Sequence, residues 1–363
     1  MGDFRDSLSA VLLLLLLLPL ADSAVQAQNR VVGYHAWWMQ DSWGDYDLSL
    51  YDKILFFELP VSADGSVTER YGWPENWTDL VGAVHQAGGK VAPTFAILDP
   101  TTFSSVLGSR ENRKRLEDTV MDLVEAAGAD GAHLNFEIFE PSTPAARAGF
   151  TQLAQSLSRR LKNYKSSAEL TVFLPGFDYG EAYDEVALAG AADYLVVQGY
   201  DMHWLNAPTA GPVAPLRGWG GASWEGITAR YQALGIDRTK LVMAAPYYGY
   251  EWPTVSATPG AETRGEGVPI TFAPVSPALL PLIQISASQR IGQYRLQRDP
   301  ESGSPYYAYR GASGWYQGWF EDRESLEAKY SFVTERGLGG VSVFLLGYDG
   351  GRLEPALRAA FRR

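Results

Sequence analysis

Short runs of apolar residues alternate with longer amphipathic stretches over most of the chain. The short runs have the length of buried strands, and the longer stretches repeat their apolar residues at helical spacing. Residues 110–127 show the second pattern, with Leu116, Val120, Leu123 and Val124 on one predicted helical face. Because strands that alternate with helices form a parallel sheet covered by helices, the pattern predicts an α/β fold. The predicted strands are residues 30–34, 53–57, 90–95, 130–137, 170–174, 193–201, 240–249 and 339–349.

Eight such strands with helices between them predict a (β/α)8 TIM barrel. The strand at residues 130–137 differs from the others because polar residues recur along it. His133, Asn135 and Glu137 are two residues apart, so their side chains point to the same face. Polar groups on a buried face are costly unless they are paired or used. Since catalytic groups of such barrels lie at the C-terminal ends of strands, Glu137 is the first candidate.

The composition limits the possible classes of function. The net charge of −12 gives an acidic surface, which repels the phosphates of nucleic acid. The 11 Trp and 20 Tyr suit stacking on sugars, although a large core also uses such rings. Cysteine is absent and the chain has four histidines, so we exclude disulfides and thiol catalysis and expect neither metal nor cofactor.

The N-terminal residues 1–27 have the pattern of a secretory signal peptide. Arg5 precedes a leucine-rich run over residues 11–20, and the small residues near Ala27 match a cleavage site. The run is shorter than the roughly 20 residues of a membrane span, so an uncleaved anchor is the less favoured alternative. We expect residues 28–363 to form one secreted domain, periplasmic or extracellular, monomeric by default and without membrane contact.

The strand at residues 130–137 resembles the signature of family 18 glycoside hydrolases, the chitinase family. That signature reads Asp-Gly-x-Asp-x-Asp-x-Glu. Asp130, Gly131 and Glu137 match it, whereas His133 and Asn135 stand where the family usually has aspartates. Parts of residues 30–34, 193–201, 240–249 and 339–349 resemble further strands of the family, so the resemblance covers roughly residues 31–350.

The resemblance also bears on residues 250–321, which are rich in Pro, Gly and Tyr and do not read as a helix. The family often carries a small α+β insertion at this point, and we interpret the segment as that insertion, between strand 7 and helix 7. Trp315, Trp319 and Phe320 near its end either line a groove or pack the insertion onto the barrel.

For the chemistry, the resemblance implies substrate-assisted retaining hydrolysis, in which the N-acetyl oxygen of the substrate attacks the anomeric carbon. Glu137 would be the general acid and base, Asn135 and Tyr200 would orient the acetamide, and Asp201 would polarise the site and bond to Asn135 or the sugar. Asn135 can accept the acetamide N–H but has no charge. We expect this to cost about 1–2 kcal/mol, or about tenfold in rate.

The predicted substrate-binding residues follow from family positions and strand ends. His133 either fixes the orientation of Asn135 or packs into the barrel floor, and Asp201 has the alternative of capping a helix. Phe344 stands where the family has a tryptophan as sugar floor. Each single aromatic residue has core packing as its alternative. The predicted substrate-binding residues are Tyr34, Trp37, His133, Gln198, Tyr248, Trp252 and Phe344.

Three functions remain open from the sequence. The first is a hydrolase of glycans containing β-1,4-linked N-acetylglucosamine, such as chitin-like chains, peptidoglycan or the N-glycan core. The second is a weakly active or inactive carbohydrate-binding protein, which the replaced aspartates and Phe344 favour. The third is another hydrolase or lyase that uses a different strand-end carboxylate, such as Glu58 or Asp178, since a fold alone does not fix a function.

Overall fold

The computed structural model describes residues 29–361, so the predicted signal segment lies outside the described residues. Within that range, eight parallel strands close into a barrel, as predicted. These strands are β1 (Arg30–Ala36), β2 (Lys53–Pro60), β3 (Lys90–Ile97), β4 (Gly131–Phe136), β5 (Glu169–Leu174), β6 (Tyr194–Gln198), β7 (Leu241–Pro246) and β13 (Gly340–Phe344). The strands β1 to β7 are neighbours in chain order, and β13 closes the barrel between β7 and β1.

Helices cover the outside of the barrel, and several begin at caps that the sequence encodes. Asp99 accepts a hydrogen bond from the backbone of Thr102, and Thr143 does the same for Ala146, with a proline following each cap. The apolar pattern does not predict the helix after Asp99. The covering helices are α1 (Thr78–Gln86), α2 (Pro100–Gly108), α3 (Arg110–Ala126), α4 (Pro144–Tyr164), α5 (Glu185–Ala191), α6 (Trp224–Ala233), α8 (Arg323–Arg336) and α9 (Glu354–Phe361).

The segment between β7 and α8 forms a small separate sheet with one short helix. Its elements are β8 (Tyr248–Thr254), β9 (Val268–Thr271), α7 (Ala287–Gln293), β10 (Gln297–Arg298), β11 (Pro305–Gly311) and β12 (Gly314–Trp319). In the described part of the chain its five strands are antiparallel, in the order β10, β11, β12, β8, β9. Trp319 stacks on Tyr306 at 4.5 Å between ring centroids, and both Trp319 and Phe320 are buried, so these two rings pack the insertion instead of lining a groove.

Charged side chains fill the barrel end at which the strands begin. Glu169 contacts Lys53 at 2.5 Å and Lys90 at 2.8 Å. Burial alone would raise the pKa of Glu169, but the two lysines outweigh burial and lower that pKa to about 2. Gly131 begins β4 beside this cluster with φ at 144°, and a side chain there would meet the Glu169 carbonyl oxygen. The glycine of the signature is thus required by the backbone.

No helix within residues 29–361 is both long and apolar enough to cross a membrane.

Candidate active site

A pocket of about 280 Å³ opens at the C-terminal ends of the barrel strands, beside the insertion. This is the end where barrel enzymes place their catalytic groups. Carboxyl groups and aromatic rings dominate its wall, and the insertion supplies one side. The lining residues are Phe57, Asn135, Glu137, Tyr200, Asp201, Tyr248, Tyr250, Pro269, Ile283, Phe344 and Tyr348.

Glu137 follows β4 directly, and its backbone is held on both sides. Its own N–H donates to the Ile97 carbonyl at 2.8 Å. The buried Tyr183 hydroxyl donates to the Phe136 carbonyl at 2.7 Å and accepts the Ile138 N–H at 2.8 Å. Bonds before and after the glutamate fix the direction in which its side chain leaves the strand. The carboxyl group therefore enters the pocket from a rigid strand end.

The electrostatic setting of Glu137 leaves a large fraction of the carboxyl group protonated at near-neutral pH. Burial raises the pKa to about 7, the negative charge of Asp201 adds to this increase, and a hydrogen bond from Asn135 opposes both. That bond, from Nδ2 to Oε2, is long at 3.5 Å and hence weak. A carboxyl group with such a pKa can donate a proton to a leaving oxygen and later take one from water.

Asp201 lies across the pocket and is held by two tyrosines of the insertion. Its Oδ1 accepts hydrogen bonds from the hydroxyls of Tyr248 at 2.7 Å and Tyr250 at 3.1 Å. Burial raises the pKa of Asp201 to about 6 although both tyrosines lower it. The residue has φ at 61°, a left-handed conformation that is found at functional sites. No helix begins at Asp201 in the described chain, so the capping alternative is wrong, and its bonds go to tyrosines and not to Asn135.

Asn135 lies on the same face of β4, between the floor and Glu137. Its side chain is buried, with 4% exposed, and its amide N–H2 points to Glu137. The carbonyl oxygen accepts no hydrogen bond from residues 29–361, so it remains an open acceptor that faces the pocket. An acetamide N–H is a donor that this oxygen could bind.

His133 belongs to the floor of the barrel. Its Nε2 bonds the Tyr34 hydroxyl at 2.8 Å and its Nδ1 bonds the Thr171 hydroxyl at 2.9 Å. Since Thr171 donates to the Ala132 carbonyl, the network assigns the ring proton to Nδ1, with Tyr34 donating to Nε2. Burial lowers the pKa of His133 to about 3, so the ring is neutral. His133 supports the pocket from below and does not bond to Asn135.

Aromatic rings form the floor and one wall around the two carboxyl groups. Phe344 meets Tyr34 at 5.4 Å and Phe57 at 5.3 Å between centroids, both edge to face. Tyr200 lies 6.1 Å from Phe344 and 5.8 Å from Tyr248. Rings in these arrangements present apolar faces with few polar atoms, which suits the apolar face of a pyranose.

The structure brings together six of the predicted site residues and leaves five outside the pocket lining. Tyr34 and His133 lie beneath the pocket, Gln198 is buried on β6, and Trp37 stacks on Tyr71 at the rim. The prediction for Trp252 is wrong. Its ring is fully buried and its Nε1 donates to the carbonyls of residues 204 and 205, because its position on β8 falls inside the insertion. The predicted residues that line the pocket are Asn135, Glu137, Tyr200, Asp201, Tyr248 and Phe344.

Sequence reasoning missed six residues of the site, among them Pro269 and Ile283 of the insertion. Tyr250 is two residues after Tyr248, so strand alternation could have placed both on one face. Tyr348 and Phe57 line the pocket from the ends of other strands. Tyr183 holds the backbone around Glu137 from a loop, and no pattern in the sequence pointed to it.

The two alternative carboxylates have different surroundings. Asp178 accepts the backbone N–H groups of Ala182 at 2.9 Å and Tyr183 at 3.1 Å, which makes it a loop-stabilising residue. Glu58, by contrast, has an unbonded and partly buried carboxyl group at the end of β2.

A closed (β/α)8 barrel with a proton-holding glutamate and aromatic rings at its mouth has the architecture of a barrel-type glycoside hydrolase. The model of the glycosyl hydrolases family 18 matches residues 30–349, and the chain belongs to that family.

Comparisons with individual proteins agree with this assignment. The probable di-N-acetylchitobiase 1 of Dictyostelium discoideum is 26% identical over 256 residues, 62% of this chain and 64% of the relative. The cortical fragment-lytic enzyme of Bacillus subtilis (strain 168) is 25% identical over 260 residues, 69% of this chain and 55% of the relative. The match thus spans less than two thirds of either relative's length.

Among solved structures, a family GH18 chitinase from Cycas revoluta in complex with allosamidin superposes with a TM-score of 0.78. The superposition covers 92% of this chain and 99% of that chain, at 17% identity, and shows a shared fold.

Proposed function

We propose that the protein is a secreted glycoside hydrolase that cleaves glycans containing β-1,4-linked N-acetylglucosamine, with Glu137 as general acid and base. The observation that carries this proposal is the position of Glu137 at the mouth of the barrel, in a pocket whose walls are aromatic and where burial raises its pKa to about 7. Such a glutamate holds its proton at near-neutral pH and meets the first requirement of glycoside hydrolysis.

In the first step, Glu137 protonates the glycosidic oxygen while the bond from that oxygen to the anomeric carbon breaks. The acetamide oxygen of the same sugar forms the new bond to that carbon, which gives an oxazolinium ion and a carboxylate at Glu137. Asn135 accepts the acetamide N–H through its open carbonyl oxygen. The Tyr200 hydroxyl, whose pKa is raised by burial, stays protonated and is a donor beside the reacting group.

In the second step, water attacks the anomeric carbon and Glu137 takes the proton from that water. The bond to the acetamide oxygen breaks, and the configuration at the anomeric carbon is retained. Asn135 offers no charge to the positive intermediate, so Asp201 is the carboxylate that stabilises it across the pocket. The neutral amide costs about 1–2 kcal/mol relative to a charged acceptor.

The relatives support this choice of substrate class. The two curated relatives are named as a chitobiase and a cortical fragment-lytic enzyme, and the Cycas revoluta chitinase has also been solved with (GlcNAc)3. Secretion rests on the pattern of residues 1–27.

The test is turnover of a fluorogenic tri-N-acetylchitotrioside by the purified protein and by Glu137→Gln. We expect the variant to lose about 10²–10⁴-fold in kcat/KM, because it cannot donate a proton. Glu140→Gln, which changes an exposed carboxylate just beyond β4, is the matched control and should keep the parent rate. The de-N-acetylated substrate should not be cleaved, since the attacking oxygen is absent. Equal rates for the parent and Glu137→Gln would refute the proposal.

A carbohydrate-binding protein without turnover is the second candidate, and Asn135 in place of the family aspartate is the observation that favours it. Under that alternative, the parent protein and Glu137→Gln would bind the trisaccharide with equal affinity and neither would release the dye.

A further inference from the structure

Glu58 is an acidic residue that the proposed reaction does not use. It stands at the mouth of the barrel near the end of β2, and its carboxyl group forms no hydrogen bond with any of residues 29–361. Oε2 is closed off from solvent, whereas the side chain as a whole is partly exposed. A buried carboxyl oxygen without a partner costs free energy, so its presence indicates a partner from outside the chain.

A tryptophan at the end of the neighbouring strand also has a buried polar atom without a hydrogen-bond partner. Ala36 of β1 pairs with Phe57 of β2, and Trp37 and Glu58 are the next residues on the two neighbouring chain segments. The Trp37 Nε1 is likewise buried and has no partner among the described residues. One orphaned donor and one orphaned acceptor therefore directly follow the same pair of residues on neighbouring strands.

The surroundings of this pair suit a sugar ring. Trp37 and Tyr71 stack face to face, with centroids 4.0 Å apart and planes within 4°. Phe57, the residue before Glu58, lines the pocket that holds Glu137. The rim site thus adjoins the pocket at Phe57. The charge of Glu58 also raises the pKa of Glu137 and of Tyr71, so the carboxyl group lies near both the proton donor and the aromatic stack.

We propose that Glu58 and Trp37 form a subsite for a hydroxyl group of a neutral sugar unit beside the unit that is cleaved. A hydroxyl can donate to the carboxylate and accept from the indole N–H, and binding has to displace the groups that close both orphaned atoms off from solvent. The deprotonated Glu58 repels a unit that carries its own negative charge, such as the lactyl carboxylate of N-acetylmuramic acid without a stem peptide. The subsite thereby selects chitin-type chains over peptidoglycan glycan that carries free lactyl carboxylates. This inference rests on the proposed function of the pocket.

Binding to the inactive Glu137→Gln protein tests the subsite without any need for turnover. The probes are tetra-N-acetylchitotetraose and the peptide-free peptidoglycan tetrasaccharide of alternating N-acetylglucosamine and N-acetylmuramic acid. Binding is measured by titration calorimetry at about pH 8, because burial raises the pKa of Glu58 to about 7 and the group is mostly ionised above that pH. Adding Glu58→Leu should weaken chitotetraose binding about tenfold, because a charge-assisted hydrogen bond is lost. Adding Glu58→Gln should weaken it less than about threefold and should strengthen binding of the acidic tetrasaccharide about three- to tenfold.

Matched variants separate the subsite from a structural role. Glu140→Gln in the same background should leave both affinities unchanged. Trp37→Phe keeps a ring for the stack and removes the N–H, so it should weaken chitotetraose binding about threefold. Glu58→Leu should melt at the parent temperature or above it, since it removes an unpaired buried carboxyl group.

Two failures are distinguishable. If the Glu137→Gln parent binds neither tetrasaccharide, the proposed function of the pocket is wrong and the subsite falls with it. If that parent binds chitotetraose and Glu58→Leu keeps its affinity within twofold, the subsite alone is wrong. Unchanged affinity of Glu58→Gln for the acidic tetrasaccharide would overturn the selection against charge.

Discussion

The two ends of the barrel hold acidic side chains in opposite electrostatic settings. Where the strands begin, Glu169 lies between Lys53 and Lys90, and the lysines lower its pKa to about 2. At the mouth, the side chains of Glu58 and Glu137 have no cationic partner among the described residues, and burial raises the pKa of each to about 7. Burial acts on all three groups in the same direction, so the presence or absence of lysines makes the difference.

This contrast separates structural from chemical use of the same residue type. A paired carboxylate at the start of the strands stabilises the closed barrel, whereas an unpaired carboxyl group at the mouth destabilises it and remains available to a ligand. Functional sites commonly tolerate such local free-energy costs because packing and hydrogen bonding in the rest of the fold all stabilise the same structure. Breaking the pairing at one end should therefore change stability, and altering the mouth should change activity.

The largest expected effect comes from Glu169→Gln. The Lys53 side chain is 2% exposed and would lose its charged partner, so we expect the free energy of unfolding to fall by about 3 kcal/mol. The kcat at a temperature where the variant is folded should stay at the parent value, because Glu169 lies at the opposite end of the barrel from the pocket. Urea denaturation and turnover measure the two quantities.

The difference in the free energy of unfolding between the parent and Glu169→Gln should depend on pH, which provides a second check. The folded-state pKa of Glu169 lies below its ordinary value of 4.5, so its stabilisation is present above pH 4.5 and is lost as the pH falls through about 2. The gap between parent and variant should shrink on acidification. Glu111→Gln on the exposed face of α3 is the control, with an expected change within about 0.5 kcal/mol. A parent-like unfolding midpoint for Glu169→Gln would contradict the structural role.

An intermediate effect is expected from Tyr183→Phe, which keeps the ring and removes the hydroxyl. The Ile138 N–H and the Phe136 carbonyl would each lose a partner on either side of Glu137. We expect kcat to fall about tenfold, with KM nearly unchanged, because a small displacement of the acid misaligns proton transfer. Tyr164→Phe, on the exposed end of α4, is the control. An unchanged kcat would mean that the strand end holds Glu137 without Tyr183.

The smallest expected effect is a shift of the pH profile in Asp201→Asn. The charge of Asp201 raises the pKa of Glu137, so the neutral amide should lower that pKa and move the alkaline limb of kcat to lower pH. We expect the limb to move by less than about one pH unit, beside a lower maximum rate. The asparagine can still accept the hydroxyls of Tyr248 and Tyr250, which preserves the geometry. A limb that stays in place would show that the two groups do not interact.

The sequence predicted the barrel well because strand alternation is a local property. The apolar runs identified all eight barrel strands, and the polar face of β4 led to Glu137 and Asn135. The family positions of Asp201 and Phe344 also fall on the pocket. Each of these residues lies at a strand end, and strand ends of a parallel barrel meet at one mouth by geometry alone.

The rest depends on how distant segments pack, which no local pattern encodes. Trp252 shares a strand face with Tyr248 but lies four residues further on, inside the insertion, so it is buried away from the pocket. The choice between the two interpretations of His133 required the positions of Tyr34 and Thr171 on other strands. In the sequence, Glu58 looks like an ordinary strand-end carboxylate. Only the structure shows that its buried Oε2 has no hydrogen-bond partner among the described residues.

The attachment of the insertion limits how this protein can diverge. β8 is the first strand of the insertion and begins after a single residue beyond β7, yet Tyr248 and Tyr250 on it supply both donors to Asp201. The insertion is thus not a freely exchangeable module. Natural recombination or an engineered chimera can replace the segment between β8 and α8, but a graft that omits the tyrosine pair would remove the support of a carboxylate that belongs to the barrel.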